Sequence, residues 1–184
     1  MIISISGTHC TGKSTLVEAM MKNPTFEGAT FLKSSGRKTM TENKRVKFNE
    51  EGDFFSQFYQ MVEDCQTLMK AMDDPFVICD RCFIDTLIYS RYLCERGNLS
   101  YYQLDLLKKM GTTMEAIVKI DKVFLLRPTF SLQREVNRSM NKDFQTDVYN
   151  LFDEECQKHS NWEYLPDTLE GRLRVLSMYV KKAK

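Results

Sequence analysis

Residues 7–14 read Gly-Thr-His-Cys-Thr-Gly-Lys-Ser, and they follow the apolar run Met1-Ile2-Ile3-Ser4-Ile5-Ser6. The pattern is G-x-x-x-x-G-K-[ST] between a β-rich run and a helix-like one, Thr15-Leu16-Val17-Glu18-Ala19-Met20. Small residues let a backbone wrap an anion, and the N–H groups of such a loop cradle phosphates. A helix starting at the same point adds the positive end of its dipole. Gly7, Thr8, His9, Cys10, Thr11, Gly12, Lys13, Ser14 and Thr15 are therefore the expected nucleotide-binding set. Within it, Lys13 reaches the β/γ-phosphates and the Ser14 hydroxyl binds Mg²⁺. His9 enters as a loop residue contributing its backbone N–H, not as an acid–base group.

A second reactive group stands at Asp80. It closes the apolar run Phe76-Val77-Ile78-Cys79 and is followed by Arg81. A carboxylate at the end of a buried strand is placed to serve Mg²⁺ or an attacking oxygen. The alternative is that Asp80 only caps the following helix.

The elements that must position these groups alternate. Strands are expected at 1–6, 29–33, 76–80, 122–126 and 162–165. Helices are expected at 13–22, 53–72, 84–95 and 100–118, through much of 129–159, and from 167 to about 179. Ser100 is a plausible N-cap. Strands alternating with helices imply a parallel sheet of about five strands with helices on both faces, and ligands at the carboxyl ends of the strands.

With 184 residues the chain suits a single domain, 1–184. A net charge of +1 makes no electrostatic case for nucleic acid or an anionic membrane. No apolar run approaches the ~20 residues needed to span a bilayer, and the N-terminus carries no signal-like segment. A cytoplasmic location is expected. The six cysteines are expected as free thiols. Cys79-Asp80-Arg81-Cys82 is formally C-x-x-C but lacks a second metal-binding pair.

The run Asp80-Arg81-Cys82-Phe83-Ile84-Asp85-Thr86-Leu87-Ile88-Tyr89 resembles the D-R segment of thymidylate-kinase-like enzymes. It is also similar to related small kinases, including viral deoxynucleotide kinases and nicotinamide-riboside kinase. The resemblance continues at Leu125-Leu126-Arg127-Pro128, then Arg134 and Arg138, and again at Asp143-Phe144-Gln145 and Val148-Tyr149. It implies a P-loop NTPase three-layer sandwich with a helical lid over about 127–147. It implies ATP and Mg²⁺ as cofactors, with Ser14 and Asp80 as the metal-facing pair. It implies that Arg81 grips an acceptor phosphate and that Arg134 and Arg138 meet the transferred phosphoryl group. A guanidinium can neutralise two equatorial oxygens at once, which suits that role.

Two departures stand out: Ser90 replaces the usual Gln after the motif's Tyr, and Ser34-Ser35-Gly36-Arg37-Lys38 replaces an acidic-proline loop. Arg37 could hold an acceptor phosphate or be an ordinary surface arginine. Phe58 could stack on a base or belong to the core. Tyr89 could pack beside a deoxyribose or be a half-buried helix tyrosine.

The expected function is a nucleoside monophosphate kinase moving the ATP γ-phosphate to a pyrimidine deoxynucleotide. The alternative is a nucleoside kinase, deoxynucleoside or riboside type, in which Asp80 is the base for a 5′-hydroxyl. A GTP-binding switch is remote, since Asn141-Lys142-Asp143 lacks the N-K-x-D spacing and follows no strand. The partner expected is a small nucleotide substrate, without nucleic acid or membrane; a homodimer stays open.

Overall fold

The structure is a computed structural model, and it describes residues 1–33, 43–128 and 139–183. Five parallel strands form one sheet: β1 (Ile2–Ser6), β2 (Thr30–Leu32), β3 (Val77–Asp80), β4 (Lys122–Leu125) and β5 (Trp162–Tyr164), in the order β2-β3-β1-β4-β5. The described helices are α1 (Lys13–Met21), α2 (Phe54–Lys70), α3 (Phe83–Glu95), α4 (Tyr101–Ile117), α5 (Lys142–Lys158) and α6 (Leu169–Ala183).

Strand side chains alternate between faces, and the two apolar clusters follow that alternation. Val77, Cys79, Val123 and Leu125 join one cluster with residues of α2, α3, α4 and α5. Ile3, Ile5, Ile78, Phe124 and Leu126 join the other with Leu16 and Met20 of α1 and Leu176 and Val180 of α6. The sheet is thus the middle of three layers. A parallel sheet covered on both faces needs apolar side chains in both directions, which is why β3 and β4 read as continuous apolar runs. β1 departs from this at Ser4 and Ser6, both fully buried. Ser6 Oγ donates to Asp85 Oδ2 at 2.8 Å, so these polar positions serve the site.

The helix ends follow local chemistry. Asp53 caps α2 by accepting from Ser56 N at 2.9 Å. Ser100 accepts from Gln103 N at 3.2 Å, and Gln103 Oε1 accepts from Ser100 N at 2.8 Å, a reciprocal cap on α4. Asn141 Oδ1 accepts from Asp143 N and Phe144 N to start α5. Two expected boundaries shift. The last helix runs on to Ala183 rather than ending near Tyr179, since Val180 still packs in the core. Within 139–159 the helix begins only at Lys142, after the Asn141 cap. Residues 129–138 of the expected lid, with Arg134 and Arg138, lie outside the described residues, as does Arg37.

β1 is central, and its carboxyl end runs straight into the phosphate loop. Gly7 there has φ +135, and a Cβ on it would stand 2.8 Å from the Leu126 backbone oxygen. Gly7→Ala should therefore lower stability by more than the roughly 1–3 kcal/mol of backbone strain, because Leu126 must also move. A urea unfolding midpoint equal to that of the unmodified chain would show that the loop yields freely.

Candidate functional site

The loop leaves β1 with two residues in left-handed conformation, Cys10 at φ 56 and Gly12 at φ 81. Gly12, which has no side chain to accept a bond, is the N-cap of α1. Lys13 is buried and bends back over the loop, donating to Gly7 O at 2.7 Å, to Thr8 O and to Thr11 Oγ1 at 3.1 Å. Side chains of α5 and α6 reach the loop. Gln145 Nε2 of α5 donates to His9 O at 2.8 Å, while the His9 ring stacks on Phe144 at 5.6 Å. Arg172 Nη1 of α6 donates to Thr11 O at 2.8 Å. Ser14 is half-buried and Thr15 exposed at the start of α1.

Asp80 ends β3 beside Ile5 of β1, so it stands next to the strand that delivers the loop. It is half-buried and is not the cap of α3. The N-cap of α3 is Cys82, and the Asp85 side chain, in the helix's first turn, has Oδ2 accepting from Cys82 N at 3.3 Å as well as from Ser6. Arg81 adopts φ 70, a strained conformation for a non-glycine residue. It turns the guanidinium over the Tyr89 ring, 5.3 Å from its centroid. Burial works against the charge on Arg81, but Tyr89, Asp85 and Asp80 more than offset it, so it stays a cation. Asp85 is pushed up by burial; Arg81, the Ser6 hydroxyl and Lys13 pull the other way.

Beside Arg81 a small cleft opens between the end of β2, α2 and the end of β3. Leu32, Lys33, Asp64, Thr67, Leu68, Cys79, Arg81 and Cys82 line it. Asp64 is its one carboxylate. Its Oδ1 accepts from Gln60 Nε2 at 2.7 Å and its Oδ2 from Thr86 Oγ1 at 2.6 Å. Ser90 Oγ lies 3.1 Å from Gln57 Oε1 and 2.7 Å from Thr86 O. Ser90, the departure noted in the sequence, thus ties α3 to the polar stripe of α2.

The fold brings the loop residues, Asp80, Arg81 and Tyr89 to one end of the sheet. Phe58 is 42% exposed, with its ring 5.8 Å from Phe54, and the cleft's lining from α2 comes from positions further along. All six cysteines are free thiols. Burial pushes Cys79 up to about 12 and Cys82 well above the ordinary range, so the C-x-x-C pair sits protonated in the core. No described helix is long and apolar enough to cross a membrane.

A family profile described as an AAA domain matches residues 2–168. The chain belongs to this AAA-domain family. Its fold is that of phosphate-loop kinases of known structure. A deoxyadenosine kinase from M. mycoides with bound dATP superposes with a TM-score of 0.71 at 14% identity, covering 98% of this chain and 100% of that one. NadR in complex with NAD and AMP-PNP gives 0.72 at 12% identity over 97% of this chain. NadR in complex with NR gives 0.69 at 13% identity over 89% of this chain. The AAA domain spans less than half of those NadR chains, 48% and 43%. No curated protein matches the sequence. The resemblance to thymidylate kinases is thus carried at the level of a phosphate-loop kinase fold.

Sequence reasoning passed over Asp64, Gln145 and Arg172 as site residues of this AAA domain. A signal for Asp64 was present: Gln57, Gln60 and Asp64 recur at helical spacing among Met61, Cys65 and Leu68, so polar groups point inward with the core face. For Gln145 and Arg172 there was none, because their partners lie 136 and 161 residues away.

Asp64 generates a pH prediction. Burial raises its pKa from 3.8 to about 7; the bonds from Thr86 and Gln60 oppose this, Asp85 adds to it and Arg81 opposes it. The folded chain therefore holds this proton to higher pH than the unfolded chain does. The stability it contributes is complete below about 3.8, is lost as pH rises towards 7, and is gone above. Asp64→Asn should remove this loss. The difference in urea midpoint between variant and unmodified protein should grow across that window, and parallel curves would show that Asp64 titrates normally.

Proposed function

We propose that this chain is an ATP- and Mg²⁺-dependent kinase that phosphorylates the 5′-hydroxyl of a nucleoside. The observation that carries this reading is the Asp64 carboxyl group in the cleft beside Arg81. Arg81 is already held among Tyr89, Asp85 and Asp80, and the adjoining cleft presents the Asp64 carboxylate. A neutral acceptor with N–H or O–H donors finds an accepting oxygen in Asp64, while Lys33 and Arg81 are the cations of the same lining. The fold's likeness to a deoxyadenosine kinase and to NadR in complex with NR supports the same side of the choice.

The residues divide the work as follows. Loop N–H groups and Lys13 hold the donor's phosphates, with Lys13 exchanging its bonds to Gly7 O and Thr8 O for phosphate oxygens. Asp80 accepts the proton of the acceptor hydroxyl. The oxygen forms a bond to the γ-phosphorus as the bond to the ADP oxygen breaks, and Arg81 meets charge on the transferred group. Ser14 and Asp80 offer hard oxygens at the same end of the sheet, and two protein oxygens completed by phosphates and water suit Mg²⁺. When bound, that ion neutralises charge on the donor phosphates. Tyr89, beneath Arg81, is placed to limit bulk at the acceptor's sugar. Cytoplasmic residence belongs to the same proposal.

A panel of nucleosides and nucleoside monophosphates with Mg²⁺-ATP decides the acceptor. Nucleosides should be phosphorylated faster; a preference for monophosphates would restore the deoxynucleotide reading and make Arg81 the acceptor-phosphate clamp. Asp80→Asn should lower kcat by about 10²–10⁴ on a nucleoside, the range for loss of general-base catalysis. Lys13→Ala should lower kcat/KM for ATP by about 10²–10³. A folded Lys13→Ala protein with full activity would end the kinase reading.

A further inference from the structure

An anion-binding loop works only if its peptide N–H groups face inward, and a planar trans peptide points its C=O the opposite way. Holding a carbonyl on the outside of the loop therefore aims the next residue's N–H at the anion. Two carbonyls of this loop are held in that manner by side chains from remote helices. His9 O accepts from Gln145 Nε2 of α5 at 2.8 Å, which sets the direction of Cys10 N–H. Thr11 O accepts from Arg172 Nη1 of α6 at 2.8 Å, which sets the direction of Gly12 N–H. Both peptides border the loop's left-handed residues, Cys10 and Gly12, where the backbone is least able to hold its own course.

We infer that Gln145 and Arg172 are positioning residues that preorganise the phosphate loop by pinning its His9–Cys10 and Thr11–Gly12 peptides. The inference rests on the nucleotide-binding reading above. Both side chains are nearly closed to solvent, Gln145 at 6% and Arg172 at 2% exposure. Burying a guanidinium is costly unless its N–H groups are used. Arg172 Nε uses another on Pro166 O at 2.7 Å, so the same side chain joins the phosphate loop to the turn between β5 and α6. Gln145 follows the Asn141 cap of α5, with Phe144 stacked on His9 just before it. The segment leading back from the expected lid is thereby bonded to the loop that would hold the donor's phosphates. Neither residue touches the reacting atoms, so both act through the backbone they hold.

The test is direct nucleotide binding by calorimetry, using ADP and AMP-PNP with Mg²⁺, on the unmodified chain and on Gln145→Met, Arg172→Lys and Arg172→Met. Met keeps the volume of Gln without its donors, and Lys keeps charge without the two-armed fork. Gln145→Met and Arg172→Lys should bind nucleotide about tenfold more weakly, as expected for one lost buried hydrogen bond. KM for ATP should rise while KM for the acceptor stays unchanged. A merely structural role would lower the thermal midpoint of the ligand-free chain and leave nucleotide affinity within about twofold; that result would overturn the inference. If Arg172→Met fails to fold, Arg172→Lys and Gln145→Met decide. Absence of nucleotide binding by the unmodified chain would instead defeat the proposed function, and this inference with it.

Discussion

Where the phosphate loop puts its carbonyls is the constraint on which the rest of the structure depends. Turning a run of N–H groups towards an anion turns the matching oxygens towards protein, where each needs a donor. Gly7 O and Thr8 O take Lys13, Thr8 O also takes Thr11 Oγ1, Gly12 O takes the first helical bond from Leu16 N, and His9 O and Thr11 O take Gln145 and Arg172. The loop is thus supported by its own lysine from within and by two helices from without. Close packing of Gly7 on Leu126 completes the support from β4.

The same economy shapes the end of β3. Three carboxylates, Asp64, Asp80 and Asp85, approach two cations, Lys13 and Arg81, in a region that excludes much of the solvent. Each acid has a different setting. Asp85 is buried, bonded to Ser6 and Cys82 N and set at the start of α3. Asp64 is bonded to Gln60 and Thr86 but opens on the cleft. Asp80 stays half-exposed beside the loop. Environment separates residues of one type into a structural acid, a cleft-lining acid and a candidate base. Ser4 and Ser6, placed where an apolar strand would otherwise carry aliphatic residues, are part of that separation.

α2 and α3 act as one polar-lined unit beneath the cleft. Asp64–Thr86 and Gln57–Ser90 join them through a part-buried and a buried hydrogen bond, so the two helices are held by pairs rather than by single side chains. Polar pairs of this kind leave little freedom for the wall to rearrange.

Much of this was legible in the chain. Residues 7–14 carry the loop's small residues and its lysine in order, flanked by strand and helix patterns, and continuous apolar runs at 76–79 and 122–126 marked buried parallel strands. Asp80 and Arg81 were legible because they close such a run. These features depend on near neighbours, so spacing alone determines them. The bond from Cys82 N to Asp85 is local, three residues apart, but the bond from Ser6 of β1 to the same carboxylate is not. Gln145 and Arg172 met the loop only when α5 and α6 packed beside it, 136 and 161 residues away in sequence, whereas Asp64 stands at helical spacing within α2. A side chain's role here follows from which backbone carbonyl or carboxylate it meets across the sheet, and only tertiary packing decides that meeting.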